Sequence, residues 1–150
     1  MLQEGTEAPD FRLNDAKGKE YTLSQYKGMK VILYFYPKDD TPGCTKEACD
    51  FRDSIGIVIK KNAVVLGISA DSEDSHGKFT QKFELPFTLL SDPEKKVIQA
   101  YKTWGEKSMY GRKYMGLFRT TYIIDEKGKI IKFFENVKVP GHVEEVLSLL

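Results

Sequence analysis

The chain has 150 residues, of which 41% are hydrophobic, enough for one domain with a buried core, and its 23 basic residues nearly balance 22 acidic ones. This balance argues against a protein that binds nucleic acid or an anionic membrane surface, because such proteins need a sustained positive field. The longest apolar run, VILYFY, is too short to span a bilayer, and the first residues lack the basic start and apolar run of a secretory signal, which favours a cytoplasmic protein.

The first half of the chain predicts a hairpin and then alternating strands and helices. FRLNDAKGKEYTL has two short apolar runs around a charged turn and predicts an N-terminal β-hairpin, added to the main fold. MKVILYFYP, a continuous apolar and β-rich run that ends at Pro37, predicts a buried central strand. We expect a helix from about Pro42 to Ser54, a second buried strand at NAVVLGISAD and an amphipathic helix at SEDSHGKFTQKF.

The second half predicts mainly strands and a closing helix. A short helix is expected at PEKKVIQAY, followed by an irregular segment, KTWGEKSMYGRKYMG. FRTTYIIDEKGKIIKFFE predicts two strands joined by a turn at Glu126–Gly128, and GHVEEVLSLL predicts a C-terminal helix. With no repeat, linker or low-complexity segment, residues 1–150 predict a single α/β domain with a central mixed sheet and helices on both faces.

The two cysteines of the chain both lie in TPGCTKEACDF. Thr41 suits the N-cap of a helix and Pro42 its first position, which places Cys44 at the third helical position. Unpaired backbone N–H groups and the positive end of the helix dipole stabilise a thiolate there. The position therefore favours Cys44 as a nucleophile.

Helical spacing separates the two thiols. Ala48 and Phe51 fall on the same face as Cys44, which is therefore expected to pack inward, whereas Cys49 lies about 140° away around the helix. The Cα atoms of Cys44 and Cys49 would be about 8.6 Å apart, beyond the limit of about 7 Å for a disulfide. A bridge between them would require the helix to unwind.

Three simpler interpretations compete with a nucleophile. A cysteine in a helix is often only a small apolar filler. A zinc site would need Cys44 and Cys49 together with His76 and His142, which have no ligand-like spacing and are expected to be ordinary polar residues at the surface or at helix starts. A thioredoxin-type oxidoreductase would be expected to carry C-x-x-C, whereas the spacing here is C-x-x-x-x-C.

The segment PKDDTPGC fits the P-x-x-x-T-x-x-C motif of peroxiredoxins, and with TKEACDFRD it resembles the peroxiredoxin Q, or bacterioferritin comigratory protein, subfamily. The resemblance covers the whole chain, since APDF, SADSEDSHGKF, LPFTLLSD, EKSMYGRKYMG and RTTYIID also match. It implies a thioredoxin-like fold and a thiol-dependent peroxidase that uses neither a metal nor an organic cofactor.

Roles for individual residues follow from the motif positions of this resemblance. It implies that Cys44 is the peroxidatic cysteine and Cys49 the resolving cysteine. Pro37 is expected to shield the pocket, Thr41 to offer its hydroxyl to the peroxide, and Arg119 of RTTYIID to be the cationic partner. These roles suit the chemistry, because thiolate attack on a peroxide spreads negative charge over both oxygens and needs hydrogen-bond donors there.

Two assignments near this motif stay open. Glu47, one turn after Cys44, either orients Arg119 or is a solvated carboxylate on the helix surface. The single hydroxyl of Thr41 would have to cap the helix and also bind peroxide. It can do both only if it donates to one group and accepts from another.

The resemblance implies an atypical 2-Cys peroxidase. Its substrates would be hydrogen peroxide and organic hydroperoxides, and oxidised Cys44 would condense with Cys49 to a disulfide that thioredoxin or a similar dithiol reduces. No nucleic-acid or membrane partner is expected, and the chain is expected to be a monomer or weak homodimer. Two other functions remain: a redox sensor or binding module that uses the same disulfide as a switch, and a general thiol–disulfide oxidoreductase.

Overall fold

A computed structural model describes residues 1–150 as nine β-strands and five α-helices. The strands are β1 (Arg12–Asn14), β2 (Glu20–Thr22), β3 (Lys30–Phe35), β4 (Ala63–Ser69), β5 (Thr88–Ser91), β6 (Trp104–Met109), β7 (Arg112–Leu117), β8 (Thr120–Ile124) and β9 (Ile130–Phe134). The helices are α1 (Pro42–Asp53), α2 (Ile55–Lys60), α3 (Glu73–Phe83), α4 (Lys96–Ala100) and α5 (His142–Ser148).

Seven strands form one mixed sheet in the order β2-β1-β5-β4-β3-β8-β9. The neighbours β3, β4 and β5 are parallel, as expected for apolar strands connected by helical crossovers, and the other pairs are antiparallel. The predicted hairpin exists as β1 and β2, but it extends the main sheet through a pairing of Asn14 with Ser91. The predicted mixed sheet is therefore confirmed.

Two hydrophobic cores lie on opposite faces of this sheet. One core takes its side chains from α1, α2, α3 and α5, with Phe51, Val58, Phe79 and Val146 as examples. The other is covered by α4 and by residues that precede β3, such as Phe11. Helices on both faces are thus confirmed, and the architecture agrees with the thioredoxin-like fold that the resemblance implies. No helix of the chain is both long and apolar enough to cross a membrane.

The prediction that KTWGEKSMYGRKYMG is irregular is wrong, because β6 and β7 form a separate two-stranded antiparallel ribbon there. The turn consists of Tyr110 and Gly111, with φ of 51° and 76°, and such paired positive φ values suit the twist of a tight hairpin. Most residues of the ribbon are at least partly exposed on both faces, so the sequence lacks the apolar alternation by which a half-buried strand is recognised.

The expectation that the two histidines are surface residues is also wrong. His76 is completely buried and His142 is 5% exposed. His142 begins α5 and His76 lies near the start of α3, as expected. Both rings point into the fold, where His76 contacts Asp39 and His142 contacts Thr121. Polar partners inside the fold offset the cost of removing these rings from water.

Candidate active site

Both cysteines lie in one uninterrupted helix, α1, as the sequence predicts. Cys44 is 1% exposed and packs in the core with Ala48 and Phe51, which confirms the predicted inward face, whereas Cys49 is half-buried. Both thiols are free, so the structure represents the reduced protein.

Thr41 is the N-cap residue of α1 by position, but its side chain does not cap the helix. Its hydroxyl donates to the carbonyl oxygen of Lys38 at 2.9 Å, so the oxygen keeps its lone pairs to accept a further hydrogen bond. The backbone N–H groups of Gly43 and Cys44, in the first turn, have no acceptor within the chain. The helix start therefore presents two free donors beside the Cys44 sulfur.

Arg119 reaches the same place from the neighbouring strand. It directly precedes β8, whose first residue, Thr120, pairs with Phe35 at the end of β3. This register brings Arg119 to the sheet edge where the loop from β3 to α1 begins. Its Nη2 donates to Cys44 Sγ at 3.3 Å and its Nη1 to Glu47 Oε1 at 2.8 Å.

Gly43 makes room for this guanidinium. A Cβ atom at position 43 would lie 3.0 Å from Arg119 Nη2, so a larger residue would push the group away from the helix start. The motif leaves this position open, and the contact with Arg119 shows why a residue without a side chain suits it.

Glu47 is a buried partner of Arg119, which decides against the surface interpretation. Its side chain is fully buried, and the Oε2 oxygen has no hydrogen-bond partner. Burial raises the pKa of Glu47 to about 7, although Arg119 acts in the opposite direction. Burial works to lower the pKa of Arg119, but Glu47 and Cys44 outweigh that effect and raise it. The guanidinium therefore remains charged beside the sulfur.

The raised pKa of Glu47 gives a testable pH dependence. Because the folded state holds this proton more tightly than the unfolded state, its contribution to stability is complete below about pH 4.5 and is lost as the pH rises through 7. The rise from 4.5 to about 7 corresponds to about 3 kcal/mol. In Glu47→Gln this contribution is absent. The free energy of unfolding of the variant minus that of the wild type should therefore increase from pH 4.5 to 7.5.

Urea unfolding of the reduced proteins at several pH values measures this difference. Taking the difference also removes the contribution of His142, which both proteins share. Glu126→Gln, which changes an exposed carboxylate in the turn between β8 and β9, is the matched control and should give a difference that does not vary with pH. If the difference for Glu47→Gln is also independent of pH, the pKa of Glu47 is not raised by folding, and the pH-dependence prediction is wrong.

Pro37, the proline expected to shield the site, is exposed in the loop after β3, and its shielding role stays a prediction. Lys107 of β6 has its Nζ 5.6 Å from the centre of the Phe118 ring, and partial burial together with Arg119 lowers its pKa. Sequence reasoning missed Lys107, because the ribbon that carries it was not predicted.

His142 was also missed as a neighbour of the site. Its Nε2 lies 2.8 Å from Thr121 Oγ1. Burial, assisted by the charge of Arg119, lowers the pKa of His142 to about 4, so the ring is neutral at physiological pH. It packs behind the site without adding a competing positive charge.

The residues best placed to hold a metal ion are Asp39, Asp71 and His76, whose ligand atoms lie within 4.8 Å of one another. Each is already hydrogen-bonded within the protein: His76 to Asp39 at 2.7 Å, and Asp71 to the Asp39 N–H at 2.8 Å. Neither cysteine belongs to this cluster, so the four-residue zinc site weighed from the sequence is not assembled.

Comparison with known proteins connects this site to one family. Residues 5–133 match the AhpC/TSA family. A peroxiredoxin Bcp of Bacillus subtilis is 48% identical over 149 residues, which cover 99% of this chain and 95% of the relative. A putative peroxiredoxin bcp of Coxiella burnetii is 52% identical over 149 residues, which cover 99% of this chain and 99% of the relative.

Solved structures show the same similarity. A Xanthomonas campestris bacterioferritin comigratory protein, described in a study of its alkyl peroxide reduction activity, has a TM-score of 0.92 at 35% identity, with 98% of this chain and 96% of that chain covered. A cysteine-to-serine mutant of a peroxiredoxin Q of Xylella fastidiosa has a TM-score of 0.94 at 35% identity, with 99% of this chain and 95% of that chain covered.

Proposed function

Because the chain belongs to the AhpC/TSA family, and its full-length relatives are peroxiredoxins, which are thiol-dependent peroxidases, we propose that it reduces peroxides through the thiolate of Cys44. The observation that carries this proposal is the 3.3 Å contact between Arg119 Nη2 and Cys44 Sγ at a helix start with free N–H donors. A permanently charged guanidinium stabilises the thiolate without competing for its proton.

In the first step the sulfur of Cys44 attacks one oxygen of hydrogen peroxide or an organic hydroperoxide. A sulfur–oxygen bond forms, the oxygen–oxygen bond breaks, and the electron pair leaves on hydroxide or alkoxide, which takes up a proton. Arg119 and the N–H groups of the helix start are the donors for the developing charge. Since the Thr41 hydroxyl already donates to Lys38, its oxygen would accept the hydrogen bond of the peroxide O–H.

In the second step the thiol of Cys49 attacks the sulfenic acid on Cys44. A disulfide forms and water leaves, so the two electrons given to the peroxide come from the thiol pair. A dithiol reductant of the thioredoxin type then restores both thiols by exchange. This cycle suits a reducing compartment such as the cytoplasm. All groups in it come from one chain, consistent with the expected monomer or weak homodimer.

A steady-state assay separates this proposal from its rivals. With excess thioredoxin and its reductase, the protein should consume many equivalents of hydrogen peroxide and of cumene hydroperoxide. A redox switch would oxidise once and then turn over slowly, and a general thiol–disulfide oxidoreductase would exchange disulfides in a model substrate without peroxide. Either of those results in place of sustained peroxide consumption would contradict the proposal.

The proposed disulfide also predicts a conformational change. Because Cys44 and Cys49 lie in one helix, their sulfurs can meet only if α1 unwinds from its start. The opening is favoured at a helix end, next to Gly43. Amides from about Cys44 to Arg52 should therefore lose protection from hydrogen exchange on oxidation, while β3 and β4 keep theirs.

Hydrogen exchange with mass spectrometry, on reduced and peroxide-oxidised samples, measures this loss. Cys49→Ser is the matched control, since it cannot close the disulfide and should keep α1 protected after one equivalent of peroxide. Equal protection of α1 in both redox states of the wild type, with the disulfide verified by mass, would contradict the proposed unwinding.

A further inference from the structure

The loop between β3 and α1 is held by a buried polar network that the proposed chemistry does not use. Asp39 is 7% exposed, and its carboxylate accepts hydrogen bonds from the Tyr36 hydroxyl at 2.6 Å and from the Ser75 hydroxyl at 2.7 Å. Its Oδ2 also lies 2.7 Å from Nδ1 of the fully buried His76. Ser75 and His76 both belong to α3, so this helix holds the loop.

Polar groups surround the ring of His76 on both sides. Nδ1 of His76 faces the Asp39 carboxylate, and Nε2 faces the carbonyl oxygen of Leu90 at 3.1 Å. Ser69 Oγ, 3.5 Å from Nε2, already donates to Asp71. Both ring nitrogens therefore face polar partners inside the fold, and the Asp39 carboxylate is the nearest of them.

This pair lies next to the groups that would bind peroxide. Asp39 directly follows Lys38, whose carbonyl oxygen fixes the hydroxyl of Thr41. Its own backbone N–H is fixed by Asp71 at 2.8 Å. A displacement of Asp39 would therefore move the Lys38 carbonyl, the Thr41 hydroxyl and the start of α1 together.

Helix α3 also contacts both ends of the segment that must unwind. Lys82 Nζ lies 2.8 Å from Asp40 Oδ2, just before α1, and Nη1 of Arg52 donates to the carbonyl of Phe83 at 2.8 Å. The Lys82–Asp40 pair is exposed and contributes little. The buried Asp39–His76 pair is the stronger attachment, because removing one partner leaves a polar group of the other without a hydrogen bond in the core.

We propose that Asp39 and His76 are positioning residues that hold the loop and the start of α1 in the peroxide-binding arrangement and thereby delay the unwinding needed for the disulfide. The inference rests on the proposed function, because it concerns the two steps of that cycle. It assigns α3, which makes no hydrogen bond to either sulfur, to the balance between peroxide reduction and disulfide formation.

The expected signature is a pair of opposite effects in one turnover. In His76→Asn the shorter side-chain amide can keep a hydrogen bond to Asp39 but loses the contact with the Leu90 carbonyl. A looser loop should slow the peroxide step by about tenfold or more, because its donors and acceptors are misplaced. The same loosening should speed disulfide formation by about fivefold or more, because the opened helix is more populated.

Acid-quenched single turnovers test this. Reduced protein is mixed with one equivalent of hydrogen peroxide, quenched at set times, alkylated and weighed, which resolves the thiol, sulfenic and disulfide forms. Tyr101→Phe is the matched control: it removes a buried hydrogen bond to the Pro9 carbonyl in the opposite core and should leave both rates unchanged. Ser75→Ala removes one bond to Asp39, keeps the Ser72 cap of α3, and should shift both rates in the same directions by smaller factors.

The possible results are distinguishable. If the wild type does not convert peroxide, the proposed function fails and the inference with it. If the wild type does, and both rates are unchanged in His76→Asn, only the positioning role is overturned. Slowing of both steps, or equal changes in Tyr101→Phe, would mean general destabilisation and would also overturn it. Should His76→Asn not fold, Ser75→Ala decides by the same criteria.

Discussion

Cys44→Ser is expected to lose peroxide reduction, with the second-order rate constant falling by at least about 10³-fold, because a serine hydroxyl at this site stays protonated and is a poor nucleophile. The fold should survive, since the two side chains are close in size and the Cys44 sulfur makes one hydrogen bond, to Arg119. Stopped-flow oxidation of the reduced protein measures the first step directly, and thermal unfolding verifies the fold.

Cys49→Ser is the matched control for this result. It should keep the first step near the wild-type rate, because Cys49 makes no hydrogen bond to the buried site, but it should lose efficient recycling by thioredoxin. A sulfenic acid should then accumulate on Cys44, and a dimedone-type reagent followed by mass measurement detects it. Full activity in Cys44→Ser, or equal loss of the first step in both variants, would disprove the division of labour between the two thiols.

Arg119→Met is expected to give the second-largest loss, about 10²-fold in the peroxide step. The Nη2 contact to the sulfur and the Nη1 contact to Glu47 both disappear, and the pH at which Cys44 loses its proton should move upward. The rate is measured at a pH where the thiol of the variant is fully ionised, because any remaining deficit then reflects the transition state.

Two variants support the interpretation of that measurement. Arg119→Lys should restore only part of the rate, since an ammonium group lacks the planar fork that contacts sulfur and carboxylate together. Arg112→Met removes an exposed arginine from β7 and should leave the rate unchanged. If Arg119→Met differs from the wild type only in the pH of thiol ionisation, the transition-state role is wrong.

The sequence by itself determined the mixed sheet, the order of most elements and the helix α1 that carries both cysteines. Short continuous apolar runs rich in β-branched and aromatic residues favour buried strands, so β3 and β4 were predictable from the sequence pattern. The start of α1 was equally predictable, since Thr41, Pro42 and the position of Cys44 are local signals. The motif also supplied Arg119, but through the resemblance and not through any spacing along the chain.

Only the tertiary structure decided which side chains surround Cys44. Arg119 meets Cys44 because the antiparallel register of β3 and β8 brings together residues 75 positions apart, and no local pattern contains that pairing. The same packing buries Glu47 and His76, which local polarity places at the surface. Hydrophobic periodicity reports which face of one element is apolar, whereas burial of a polar group depends on partners that other elements deliver. The environment of Cys44 is therefore a property of the folded chain.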